Sequence, residues 1–171
     1  MILGLPGSGK SRLALATAEA LCQADLPAFV LHTDLLKISL RKWFPDELKG
    51  PGYNGDFRAK CERMRPFLEA QADKARRDGY RLIVEGTLAL NFVPEPGLRV
   101  ILEIGEKERL HRISLKHRSA RMALDSANFT DLSDYAKALD DIDGPDVLRV
   151  DAHAPLVDLV RQLAAAVQGR G

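Results

Sequence analysis

The chain has 171 residues, 46% of them hydrophobic and 29% charged, with a formal net charge of +1. That length supports one domain with a sizeable core, and the composition, without any apolar run long enough to span a bilayer, excludes a disordered chain and a membrane-spanning helix. The near-balance of charge excludes a protein that is basic overall, so any bound anion is expected to be held by a local cluster of cations.

The chain opens on a short apolar run, Met1-Ile2-Leu3, where a strand of about five or six residues is usual. Either this first strand is very short or the natural chain begins further upstream. Gly4-Leu5-Pro6-Gly7-Ser8-Gly9-Lys10-Ser11 follows and fits G-x-x-x-x-G-K-[ST], the phosphate-loop or Walker A pattern, at every fixed position. Chemistry explains the residue types. Gly4, Gly7 and Gly9 allow backbone torsions closed to other residues, so consecutive N–H groups, that of Ser8 among them, can turn inward around a phosphate. Lys10 places a positive charge beside the β- and γ-phosphates, and Ser11 offers a hydroxyl to a magnesium ion. The helix that follows points its positive dipole end at the same anion. A glycine-rich turn without a ligand would use similar residues, but this stretch also lies between an apolar strand and an amphipathic helix, as the motif requires.

Residues 10–24 are predicted to form the first helix, with Leu13, Ala14, Ala16, Ala20 and Leu21 as its apolar stripe and Asp25-Leu26-Pro27 as its end. Residues 28–32 read as a strand buried on both faces. Thr33-Asp34 stands at its carboxyl end, the side on which open parallel sheets bind ligands. Asp34 suits a helix N-cap and also a general base that accepts a proton from a substrate hydroxyl in phosphoryl transfer, and the two roles are compatible. On a helix starting there, Lys37 and Arg41 share its face, either as a substrate-anion site or as a solvated charged surface. Residues 45–56 form a loop dense in Gly and Pro in which Tyr53 and Asn54 are candidates to touch substrate.

A long helix is expected over 57–78, with Phe57, Cys61, Met64, Phe67, Leu68 and Ala75 inward, a kink at Pro66 and a stop at Gly79. Residues 80–87 form an apolar strand ending in Glu85-Gly86-Thr87, the Walker B arrangement. An acid there, beside the strand that feeds the phosphate loop, can accept hydrogen bonds from magnesium-bound water; a solvated strand-end glutamate is the plainer alternative. An irregular stretch follows to 97, then a fourth strand over 98–104. The next helix is rich in cations: Lys107, Arg109, Arg112, Lys116, Arg118 and Arg121, with His111 and His117. A charge run is usually a solvated face. Its position after the fourth strand, over the open edge of the crevice, favours donors that close on a transferring phosphoryl group, and Arg118 and Arg121 share one face. Residues 122–145 are polar and poorly periodic, a lid-like excursion with a short helix near 132–139. A fifth strand over 146–151 and a last helix opened by Ala152-His153-Ala154-Pro155 complete the chain. His153 stands where a nucleotide base commonly lies in this topology, though a surface histidine is the plainer reading. Cys22 and Cys61 lack metal-ligand or C-x-x-C spacing and read as reduced thiols of a cytoplasmic protein. No secretory leader is read at the front.

This strand–loop–helix start, the five short strands and the Arg-rich fourth crossover resemble the nucleoside-monophosphate-kinase branch of P-loop proteins, and within it kinases of the zeta-toxin, polynucleotide-kinase and chloramphenicol-phosphotransferase type. The resemblance rests on Gly4–Ser11, on Asp34 followed by Lys37 and Arg41, and on Glu85-Gly86-Thr87. It implies a three-layer α/β/α fold with a five-stranded parallel sheet, a single P-loop kinase domain over 1–171, and a helical lid about 106–145. It implies Asp34 as the base that activates an acceptor hydroxyl, and lid arginines at Arg118 and Arg121, with Arg112. Glu85 stands where many relatives have Asp.

The leading expectation is an ATP- and Mg2+-dependent kinase acting on a hydroxyl of a small molecule. Two others stand beside it. One keeps the chemistry and moves the acceptor to a nucleic-acid end or aminoacyl-tRNA, motivated by the basic helix over 107–121 and opposed by the near-neutral charge. The other is a nucleotide-dependent switch; the absence of an N-K-x-D stretch disfavours a GTPase. No membrane association is expected.

Overall fold

The computed structural model describes residues 1–43, 57–93, 95–116 and 132–169. Five strands form a single parallel sheet: β1 (Ile2–Gly4), β2 (Ala28–His32), β3 (Arg81–Glu85), β4 (Arg99–Glu103) and β5 (Val147–Asp151), in the spatial order β2-β3-β1-β4-β5. Six helices are described, α1 (Lys10–Gln23), α2 (Thr33–Trp43), α3 (Phe57–Asp78), α4 (Glu106–Lys116), α5 (Leu132–Asp140) and α6 (Leu156–Gln168), with a short 3-10 turn at Thr87–Ala89. Within this sequence β1 has three residues, all buried. The chain crosses α3 without a break at Pro66.

Alternation along the strands divides the core in two. Leu3, Val84 and Ile101 pack with Leu40, Cys61, Met64, Leu68, Tyr135 and Leu139, the inner residues of α2, α3 and α5. Ile2, Ile83, Val100, Leu102 and Val150 face the other way onto Leu13, Ala14, Leu21, Leu159 and Leu163 of α1 and α6. Helices therefore cover both faces, which is why the strands read as apolar runs rather than alternating ones. Leu21 and Leu68 are fully buried; truncating either to Ala should destabilise the fold by about 2–5 kcal/mol.

Because β1 is central, the turn after Gly4 opens between its neighbours at the carboxyl edge of the sheet. Register places the other strand ends there too: Gly4 lies beside Leu102, and His32 beside Glu85. A cavity of about 590 Å³ lies at the opposite, amino edge, lined by Ile2, Leu82, Val84, Leu98 and Leu163 among others, and is remote from these groups. Among the described residues no helix is long and apolar enough to cross a membrane.

The segment over 106–145, expected to be lid-like, is anchored at both described ends. Ile113 of α4 is buried, and Tyr135 and Leu139 of α5 belong to the core. Residues 117–131 between them lie outside the described residues.

Candidate functional site

The glycine-rich loop is shaped by what surrounds it. After β1 the backbone turns back, with Ser8 N–H donating to the Leu5 carbonyl at 3.1 Å, and α1 starts at Lys10. The N-cap residue is Gly9, which has no side chain to cap the helix start, so the first-turn N–H groups are left toward the loop. Gly7 has φ +87°, and a Cβ there would stand 2.9 Å from both the Arg109 carbonyl oxygen and Ile113 Cγ1. A glycine is needed because α4 lies directly against the loop.

Lys10 folds back over this loop. Its Nζ donates to the carbonyls of Gly4 at 2.8 Å and Leu5 at 3.1 Å. Burial lowers its pKa to about 8, opposed by the carboxylates of Glu85 and then Asp34, while Lys116 pushes in the same direction as burial. Lys10, Glu85 and Asp34 thus share one electrostatic neighbourhood, although they come from α1, β3 and α2.

Ser11, one residue on, points its hydroxyl at Glu85 and donates to Oε1 at 3.1 Å. Glu85 is only 6% exposed. The same Oε1 meets Nδ1 of His32 at 2.5 Å. His32 was not among the residues singled out from sequence. The pairing arises because His32 and Glu85 end adjacent parallel strands in register, and a register between strands separated by a long helix leaves no local pattern to read.

The backbone is tightest just after these two strand ends. Gly86 has φ +122°, and a Cβ there would fall 2.1 Å from Thr33 Oγ1. Thr33 is fully buried and its hydroxyl has no partner among the described residues. This close approach brings the start of α2 to the end of β3. It places Asp34, in the first turn of α2, exposed at the mouth of the crevice. Lys37 is half-buried one turn along the same helix, and Arg41 lies further along, its side chain outside the described residues. Tyr53, Asn54, Arg118 and Arg121 also lie outside them.

Arg112 does reach the loop. Its Nη1 donates to the Ser8 carbonyl at 3.4 Å, its Nη2 to the Ala152 carbonyl at 3.1 Å, and its Nε to Glu108 at 2.7 Å. That bond holds the Glu108 carboxyl below its ordinary range. One guanidinium thus ties α4, the glycine-rich loop and the β5–α6 turn together. In that turn, His153 bonds Asp151 through its backbone N–H at 2.9 Å and Nδ1 at 2.7 Å, which holds the Asp151 carboxyl down. Arg109, by contrast, is 3% exposed and part of the packing rather than of a charged surface.

Tyr135 is the second residue that sequence reasoning missed. It is fully buried, edge-on to Phe57 at 5.2 Å between ring centres. Its hydroxyl accepts from the Gly4 N–H and donates to the Gly4 carbonyl, both at 3.3 Å. Burial pushes its own pKa up, so it stays a neutral donor.

The donor set suits a magnesium ion. Ser11 Oγ and Glu85 Oε1 present one neutral and one anionic oxygen side by side. No described group of three or more His, Cys, Asp or Glu forms a closed cage. Magnesium is commonly held this way, by one or two protein oxygens with water and phosphate filling its shell. No protein-family model matches the chain, and no curated protein does.

Proposed function

We propose that this chain is an ATP-dependent kinase that transfers the γ-phosphoryl group to a hydroxyl of a small-molecule acceptor. The observation that carries the reading is convergence: Lys10, the Ser11–Glu85 pair and Asp34 meet at the carboxyl edge of the central strands, around a glycine loop with an uncapped helix start. The five-stranded parallel sheet suits a P-loop architecture of the kind the sequence resembles.

In this reading the loop N–H groups and α1 hold the phosphates of ATP. Lys10 leaves the carbonyls of Gly4 and Leu5 for the β- and γ-phosphates. Magnesium, when bound at Ser11 and near Glu85, neutralises phosphate charge. Asp34 orients the acceptor hydroxyl and takes its proton as the new O–P bond forms and the bond to the β-phosphate bridging oxygen breaks, releasing ADP. Arg112 holds the loop, and Arg118 and Arg121 are assigned to neutralising the charge that develops on the transferring group. Lys37, Arg41 and Tyr53 are assigned to the acceptor side, and the protein to the cytoplasm.

The test is a screen of hydroxylated metabolites and antibiotics with γ-labelled ATP, repeated with Asp34→Asn. Transfer should fall by about 10²–10⁴-fold in the variant; a near-wild-type rate removes Asp34 from the base role. The nucleic-acid alternative is weakened inside α4, where Arg109 is buried and Arg112 is engaged internally. Salt-dependent binding of tRNA or DNA would restore it.

A further inference from the structure

We propose that His32 is a positioning residue for the magnesium site: its Nδ1–H holds Glu85 so that the Ser11–Glu85 pair keeps the geometry a metal needs. This rests on the nucleotide reading above and adds a component to it.

The geometry leaves little freedom. An ionised carboxylate has no hydrogen to give, so the 2.5 Å contact with Glu85 Oε1 places the hydrogen on His32 Nδ1. A bond of an N–H to a carboxylate is charge-assisted and stronger than one between neutral groups. Oε1 therefore accepts from two sides, His32 from β2 and Ser11 from α1. When Ser11 gives its hydrogen to Glu85, the lone pairs of its oxygen turn away from the carboxylate and become available to a cation. That orientation is only as good as the fixity of Oε1.

Fixity is the difficulty with a glutamate. Its side chain has one more methylene and one more rotatable bond than aspartate, so an acid at this strand end needs a second anchor to stay in place. His32 supplies it from the neighbouring strand. The two side chains are brought together by register, and are 23% and 7% exposed. Partners of this kind behind metal-binding groups contribute roughly 10–100-fold to affinity.

The test is calorimetric titration of ADP, with EDTA and with Mg2+, on wild type, His32→Leu, His32→Asn, His32→Gln and Glu85→Asp. ADP affinity in EDTA should be the same within about twofold for the His32 variants, which also controls for folding. The gain in affinity on adding Mg2+ should fall by about tenfold in His32→Leu. His32→Asn, whose amide N–H replaces Nδ1–H, should keep most of the gain, and His32→Gln should not. In a Glu85→Asp background the shorter acid no longer reaches His32, so adding His32→Leu should change nothing further. An imidazole Nδ1 proton signal should be visible in the metal-free wild type and lost in Glu85→Ala. An undiminished Mg2+ gain in His32→Leu, or Asn rescuing no better than Gln, overturns the assignment while leaving the nucleotide reading standing. Failure of the wild type to bind ADP overturns that reading and this assignment with it.

Discussion

The two sides of the crevice are built differently. On one side, Gly4–Ser11 and Glu85 are locked by bonds from β1, β2, β4, α4 and α5, and their groups are mostly buried or half-buried. On the other, the first turns of α2 present Asp34, Leu35 and Ile38 to solvent, the last two 62% and 66% exposed. The first side is dense because it would handle a reagent whose shape does not vary, and its demands fall on backbone torsions and register. The second is open, as a side shaped for one particular acceptor would be. Mutations should therefore be severe and global on the first side, and mild and substrate-specific on the second.

The largest effect is expected at Gly86. With φ +122° and a Cβ only 2.1 Å from Thr33 Oγ1, Gly86→Ala should destabilise the protein by about 3 kcal/mol or more in urea unfolding. Adding Thr33→Ala should recover the steric part and leave the torsional strain. Gly79→Ala is the control: its φ of +76° is also left-handed, but a Cβ there meets nothing within 4 Å, so about 1–2 kcal/mol is expected. Equal losses at both positions would break the picture of a tightly built inner side.

Lys10 comes next, with opposite effects on function and fold. Lys10→Met should lower phosphoryl transfer by at least about 10²-fold without destabilising the unliganded protein at pH 7. The sign follows from linkage. The pKa of Lys10 is about 8 in the folded state and 10.5 ordinarily. Between those values the unfolded chain binds the proton that the folded one lacks, so stability rises with pH; below about pH 8 the burial penalty is present in full. That rise should be absent from Lys10→Met. Bound phosphate favours the charged lysine, so wild-type ADP affinity should weaken above about pH 8, by up to tenfold per pH unit, in titrations from pH 7 to 9.5.

Tyr135→Phe should cost about 1–2 kcal/mol, since the Gly4 N–H loses a buried partner. The smallest change is expected across the crevice. Leu35→Ser with Ile38→Ser should shift stability by no more than about 0.5 kcal/mol per site. It should leave ADP binding untouched and appear only in KM for the acceptor. A loss of ADP binding in that variant would mean that the two sides are not separable.

Legibility follows the same division between local and long-range effects. The strand at 28–32, the helix starting near Asp34 and the long helix from Phe57 to Asp78 were all readable, because periodicity and turn residues act over a few positions. The placing of Asp34 and Glu85 at strand ends came from the same local reading. Residues defined by distant partners were not readable. His32 gains its meaning from facing Glu85 across 53 residues, and Tyr135 from reaching Gly4 across 131. Arg109 looked like one member of a cationic run, yet it is buried because α4 packs on the loop at Gly7. Complementarity between surfaces remote in sequence carries no periodic signature.

The Gly4 carbonyl also bears on how readily the resting protein would give up its lysine. That oxygen receives two donors, Lys10 Nζ at 2.8 Å and the Tyr135 hydroxyl at 3.3 Å. A buried acceptor abandoned by its only partner would resist the departure, at a penalty of roughly 1–3 kcal/mol. Here the tyrosine would remain if a phosphate drew the ammonium away. The lysine is berthed rather than bolted, and the mooring would stay occupied after it left.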